Sequence, residues 1–245
     1  MMRLSKNEVN KILDDLNIHI NNIFNEYIAA IQMYDMGRNS VDQFDDHVTI
    51  SPLVGEGVCL EPILMIEIKQ FKNTYPQFIS NVFHDMLVRA WMDCLSQLFS
   101  LFIELKIEDA RMLENFKTID AKIQLDFEQA NINAQIQEGF VKDFNFKEHP
   151  KRYKIINKVL DPSNTAQKDL LDIGKNVMLR NCIQHHQSCI DSKTSKNQGG
   201  RVYMLDDKGA KQVYVEGDRF TISLPQIYSF KRSILAVIQA WRPKV

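Results

Sequence analysis

The chain has 245 residues, 44% of them apolar and 25% charged, the balance of an ordinary globular protein, which excludes wholesale disorder and fibrous repeats. That length fills one sizeable core, or a main domain with a small appendage. The net charge of −1 hides an asymmetry: residues 1–140 carry 11 Lys+Arg against 21 Asp+Glu, or −10, while residues 141–245 carry 19 against 10, or +9.

A basic second half suits a polyanionic partner, because clustered Lys and Arg attract phosphates and release their counterions. The same asymmetry also arises when two halves pack together and neutralise each other. At the N-terminus no apolar run follows the first basic residues, and no window approaches the roughly 18 uninterrupted apolar residues of a membrane span. The expectation is a soluble, cytoplasmic protein with no membrane partner. Four cysteines (Cys59, Cys94, Cys182 and Cys189) are spread too widely for a disulfide framework or a zinc knuckle, and read as reduced and mostly buried.

Along the chain, Val9, Ile12, Leu13, Leu16, Ile20, Ile23, Phe24, Tyr27 and Ile31 recur at helical spacing, so residues 5–35 are expected to form a long amphipathic helix. Residues 36–62 hold Gly37, Gly55, Gly57, Pro52 and Pro62 among several Asp, and read as a loop with one short extended piece. The stretch QFISNVFHDMLVRAWMDCLSQLFSLFIELK is apolar nearly all round, the mark of the most buried helix of a bundle. Further helices are expected over 111–137 and 150–160. DPSNTAQKDLL then announces another start, with Asn164 and Gln167 spaced as a capping box, for a helix over about 165–191.

SKTSKNQGG reads as a polar loop ending in glycines. After it, RVYML, a DDKG turn, KQVYV and RFTIS give two or three short strands of a hairpin, and a last helix covers about 225–241. The expected fold is all-α: an antiparallel helical bundle with a small late β-hairpin at about 200–223. Residues 1–62, a long helix plus loop, join the bundle of 63–245 as part of the same domain or as a separate docking element.

One stretch carries chemistry. On a wheel at 100° per residue, Asn181 and His185 fall inside the apolar stripe of the 165–191 helix, set by Leu170, Leu171, Ile173, Gly174, Val177, Met178, Cys182 and Cys189, while Arg180 sits on the rim. An unpartnered buried Asn or His costs roughly 1–3 kcal/mol, so the pair either bonds to other core groups or marks a shared interface. Arg180-Asn181-Cys182-Ile183-Gln184-His185 is an R-N-x-x-x-H string, expected about 0.02 times by chance in a chain of this composition.

This string resembles the signature of the HEPN (higher eukaryotes and prokaryotes nucleotide-binding) superfamily. Its members are small α-helical bundles, many of them metal-independent ribonucleases, and they carry the motif on a late helix. The resemblance is at motif level over residues 165–191, and elsewhere at the level of helical architecture alone. It implies an endoribonuclease acting on RNA through Arg180, Asn181 and His185 from both subunits of a homodimer, with no metal and no cofactor. It also implies a toxin or anti-phage defence setting with a neutralising antitoxin or defence-system partner, although many members have lost catalysis and keep the bundle for binding nucleotide, RNA or a partner protein. The residue after the motif histidine, often small in the family, is here His186, an accessory proton shuttle or a solvent-facing side chain.

The chemistry stands without the family. Metal-free RNA cleavage needs a base for the 2′-hydroxyl, an acid for the leaving 5′-oxygen, and a cation on the phosphate, tasks for imidazole and guanidinium. One helix supplies one His185 and one Arg180, a shortage that a second copy removes.

Asp93, interrupting the most apolar helix, is a candidate partner for Arg180 or else an exposed residue beside Arg89. Lys147, Lys151, Arg152 and Lys154, interleaved with Phe144, Phe146 and Tyr153, suit RNA, as does the basic group Lys193, Lys196, Arg201, Lys208 and Lys211. The first set equally fits long cationic side chains lying over core aromatics. Nothing resembles a phosphate-cradling glycine loop, a serine nucleophile elbow or an H-E-x-x-H zinc site.

Overall fold

The computed structural model describes residues 3–51, 61–108 and 132–242. Helix α1 (Arg3–Val41) buries the stripe Val9, Leu13, Leu16, Ile20, Ile23 and Tyr27. It outruns the predicted 5–35 because nothing in its exposed last turns, Gly37 included, stops a helix. Strand β1 (Thr49–Ile50), inside the expected loop, pairs antiparallel with β2 (Ile63–Leu64) just after it, and β2 leads into the short α2 (Met65–Phe71).

Helix α3 (Tyr75–Glu108) is the centre. Its length and hydropathy would suit a membrane span, yet 61% of its most apolar window is buried inside the bundle. Leu87, Trp91, Leu95, Leu98, Phe99 and Phe102 are essentially inaccessible. Burying one such side chain contributes about 1.5–3 kcal/mol, so this helix is a major source of stability.

Pairings between helices give their directions. Tyr34 of α1 meets Tyr75, and Tyr27, two turns earlier, meets Ser80 and Phe83, so α1 and α3 run antiparallel. Helix α4 (Ile132–Phe146) runs antiparallel to α3, with Ser96 on Asn145, Phe99 on Phe144 and Ser100 on Gln137. Most of the helix expected over 111–137 lies outside the described residues.

Helix α5 (His149–Leu160) starts with Pro150 at its first turn, where the missing N–H costs nothing. Next comes α6 (Gln167–His185), and α8 (Leu224–Trp241) crosses it antiparallel, Asn176 facing Gln226 and Asp172 facing Ser233. Helix α8 also runs antiparallel to α1, with Tyr228 on Phe24 and Arg242 on Asp14. The N-terminal helix is therefore a wall of the same core.

Three local expectations are corrected. Asn164 does not cap α6: it takes a left-handed φ of 57°, its Oδ1 accepts from Asn157 Nδ2 at 2.9 Å, and Asp161 Oδ2 receives the Ala166 N–H at 3.1 Å. Helix α6 stops at His185 rather than near 191, because Gln187 and Ser188 turn left-handed (φ 51° and 61°) and Ser188 N–H returns to the Cys182 carbonyl. The SKTSKNQGG stretch is not all loop. Asp191 Oδ1 accepts the Thr194 N–H at 2.5 Å and starts helix α7 (Ser192–Asn197), whose buried residues are the polar Thr194 and Ser195 and so gave no hydropathy signal.

The hairpin has two strands, β3 (Val202–Leu205) and β4 (Lys211–Tyr214), closed by Asp206 Oδ1 accepting from the Lys208 and Ala210 amides. Two strands thus satisfy the expectation of two or three, and the third run, RFTIS, contributes one bridge, between Arg219 and Cys189. Cys94 and Cys182 are buried and Cys189 is half-buried, all as free thiols.

Candidate functional site

A polar layer beneath α6 fixes which side of the helix faces outward. His84 on α3 and Gln226 on α8 both reach Asn176 Oδ1, at 3.3 and 3.0 Å, and all three residues are buried. Asn176 Nδ2 donates to the Asp172 carbonyl at 2.9 Å, and Ser233 Oγ donates to Asp172 Oδ2 at 3.0 Å. Apolar contacts alone tolerate small rotations of a helix; directional hydrogen bonds do not.

With that side pinned, the motif emerges at the surface. Asn181 and His185 are exposed, so the expectation that they point into the packed side is corrected: the helix is buried on its other faces, through Leu170, Ile173, Asn176, Val177, Leu179 and Cys182. Arg180 is half-buried on the rim, as expected. Its Nε donates to Asp85 Oδ1 at 2.7 Å, and its Nη1 donates to Asn181 Oδ1 at 3.3 Å.

Asp85 is the acidic partner of Arg180, and of the two readings given for Asp93 the structure fits the exposed one. Asp85 also takes Gln184 Nε2 at 3.0 Å and pairs with Arg89 Nε at 2.6 Å. Asp93 is exposed, two turns along α3 from Asp85. The cluster of Arg89, Asp85 and Arg180 keeps one net positive charge, enough to favour an anion beside Asn181 and His185.

His185 stands in the last turn of α6 with no hydrogen-bond partner among the described residues. His186 turns away and meets Asp191 at 3.2 Å. Asp191 is itself partly desolvated, which alone would raise its pKa, yet the bonds from Thr194 and the nearby His186 hold it below the usual carboxylate range. His186 thereby ties the end of α6 to the start of α7, which limits its freedom as a proton shuttle.

Beside the motif a groove of about 660 Å³ opens between α3, α5, α6 and α7. Val88, Met92, Leu170 and Val177 are among its apolar lining residues, and Arg180, Asn181, Lys147 and Lys193 among its polar and basic ones. His149 forms part of the wall. Trp91 Nε1 donates to its Nε2 at 2.9 Å, while burial, reinforced by the charge of Arg152, lowers its pKa to about 4. The same cause, burial, lowers His84 to about 4 against the pull of Asn176 and Asp85.

The proposed RNA-binding residues divide. Lys151, Lys154, Lys196 and Arg201 are exposed, Lys193 is exposed and paired with Glu148 at 2.8 Å, and Lys147 is held by Asp143. Arg152 follows the other reading of its stretch, a cationic side chain lying over a core aromatic: it is 5% exposed, and its Nη2 donates to the Met92 carbonyl, Ser96 Oγ and Asn145 Oδ1 while the guanidinium lies 5.0 Å from the Phe144 ring centre. It clamps α5 to α3 and cannot reach a nucleic acid.

Among the described residues no group of three or more His, Cys, Asp or Glu side chains is placed to hold a metal ion. Comparison with family models, with curated proteins and with solved structures yields no match. Sequence reasoning missed Asp85, His84 and His149. The available signal was the His84-Asp85 pair inside an otherwise apolar helix, where two adjacent polar residues need partners from neighbouring elements.

Proposed function

We propose that the protein is a metal-independent endoribonuclease whose site is completed by a second copy of the chain. The observation that carries this reading is the placement of Arg180, Asn181 and His185 together at the exposed end of α6, with Arg180 oriented by Asp85 from α3. Exposure matters because residues kept only for the bundle's own core would be buried. Phe78 and Val82, two and one turns before Asp85 on α3, are also exposed, and give a second copy an apolar margin to cover.

In the proposed reaction one imidazole takes the proton of a ribose 2′-hydroxyl, whose oxygen attacks the adjacent phosphorus. The bond to the 5′-oxygen breaks, and the other copy's imidazole protonates that oxygen. Arg180 stabilises the charge on the phosphate oxygens, and Asn181 orients the phosphate or the ring. The products carry a 2′,3′-cyclic phosphate and a 5′-hydroxyl. A role as a toxin or anti-phage effector held by a neutralising partner rests on the HEPN resemblance alone.

A second reading is a non-catalytic bundle that binds RNA, a nucleotide or a partner protein. It draws on the engagement of the Arg180 fork by Asp85 and Asn181 within one chain. Purified protein and its His185→Ala variant, each incubated with total RNA in EDTA, separate the two readings. Cleavage that persists in EDTA, leaves cyclic phosphate ends and vanishes in the variant supports the nuclease. If both proteins are folded, dimeric and inert, the binding reading replaces it.

A further inference from the structure

Asp85 holds more than one arginine. Its Oδ1 accepts from Arg180 Nε at 2.7 Å and from Gln184 Nε2 at 3.0 Å, and its Oδ2 lies 2.6 Å from Arg89 Nε. One carboxylate on α3, 19% exposed, thus anchors two guanidinium groups, one from its own helix and one from α6. Both arginines line the groove together with Asn181, and Asp85 does not.

Charge decides what the two can do. Arg180 and Asp85 alone would form a pair with no net charge, so the positive surplus that favours an anion comes from the second guanidinium. The lysines of the groove add little to it, since Lys147 pairs with Asp143 and Lys193 with Glu148. Asp93, one turn further along α3, is exposed and makes no ion pair with Arg89 among the described residues. Arg89 itself is 65% exposed and engaged only through Nε. Its Nη1 and Nη2 have no partner among the described residues, so their N–H groups are open to a ligand. An exposed ion pair four residues apart on a helix adds little stability, so the fold does not depend on Arg89.

We propose that Arg89 is a second phosphate-binding residue of the site, its free fork taking a non-bridging oxygen of the phosphodiester that Arg180 also binds. The proposal rests on the RNA-cleavage reading for the identity of the ligand. Two guanidinium groups anchored on the two oxygens of one carboxylate form a clamp with one surplus positive charge. That surplus matches the single negative charge of a phosphodiester, and it acts more strongly as further negative charge develops during attack by the 2′-oxygen. Asp85 sets the spacing of the clamp, and Arg89 makes it cationic.

The test is a double-mutant cycle on the full-length protein: wild type, Arg89→Ala, Asp85→Asn and the double variant. Each is followed in EDTA by single-turnover cleavage of one RNA, and by binding of the uncleavable 2′-deoxy form of that oligonucleotide at several salt concentrations. Arg89→Ala is expected to melt with the wild type, to cleave about tenfold more slowly, a smaller loss than for a donor in a closed site, and to reduce the salt slope of binding by about one. Because the contact is to the phosphate, a loss of about fivefold or more is expected to persist when Asp85 is already Asn. Arg89→Lys is expected to restore the salt slope but not the full rate, since an ammonium lacks the planar fork. If Arg89 serves only to neutralise Asp85, its removal from the Asp85→Asn protein changes neither rate nor slope, and the proposal falls. It falls equally if the wild type binds no oligonucleotide, or cleaves RNA no faster than Arg89→Ala. A wild type that leaves RNA intact, but whose oligonucleotide binding still depends on Arg89 in both backgrounds, removes the nuclease reading and keeps Arg89 as a phosphate ligand.

Discussion

Arg180 on α6 donates through Nε to Asp85 on α3 at 2.7 Å, joining two helices across 95 residues of chain at the edge of the candidate site. Asp85 holds Arg89 as well, so the carboxylate sets where the guanidinium fork of Arg180 can point. On the proposed mechanism, Arg180→Ala lowers the RNA cleavage rate by about a hundredfold or more, as expected for a donor aimed at developing charge. Asp85→Asn keeps the shape and removes the anchor, and is expected to lower the rate by about tenfold through misorientation. Single-turnover rates on one RNA check both, and an unchanged rate in Asp85→Asn contradicts the positioning role.

The two buried histidines predict a pH dependence of stability. His84 and His149 each titrate at about 4 when folded, against about 6.5 unfolded, so between these values the unfolded chain binds protons that the folded one refuses. Their contribution is complete above pH 6.5, falls as the pH drops towards 4 by about 3 kcal/mol for each ring, and changes no further below that. Urea midpoints from pH 7 to 4.5 should fall accordingly. By NMR neither ring should titrate between pH 5 and 7, and a ring that does so refutes its assignment as buried and neutral.

Asn176 joins His84, Gln226 and the Asp172 carbonyl in one buried layer. Asn176→Ala leaves two buried polar side chains without that partner, and the expected loss is about 2–4 kcal/mol in denaturant unfolding. A loss below about 0.5 kcal/mol would show that the layer does not hold α6 in place.

The basic residues should separate by role. Arg152→Ala is expected to destabilise the fold by about 2–4 kcal/mol, because three hydrogen bonds and the packing of the guanidinium on Phe144 disappear together. Lys154→Ala and Lys196→Ala should leave the melting temperature unchanged. If these lysines touch RNA phosphates, each should reduce the salt dependence of RNA binding by about one unit of slope. An unchanged slope removes that lysine from the RNA surface.

The helices of the core were legible because their apolar spacing is set by burial, as in Val9, Leu13, Leu16 and Ile20 on α1 and the all-round burial of α3. The cap of α6 and the short α7 were misread because both are organised by polar groups, through Asp161, Asn157 and the buried Thr194 and Ser195. At the site, Arg180, Asn181 and His185 were visible as a spaced string, but their outward direction was not. A helical wheel assigns one apolar face, whereas α6 is covered by α3, α5, α7 and α8 over a wide arc, part of it polar. Long-range pairs such as Asp85 with Arg180, or Trp91 with His149, leave no local periodicity to find.

The central claim is that two copies of α6 share one cleavage site, and subunit mixing tests it most directly. Wild-type protein is equilibrated with increasing amounts of folded His185→Ala at constant total concentration, and cleavage of a labelled RNA is followed in EDTA. If both copies must supply His185, activity falls as the square of the wild-type fraction. A linear fall, meaning that each chain cleaves alone, or the absence of cleavage by the wild type itself, contradicts the account.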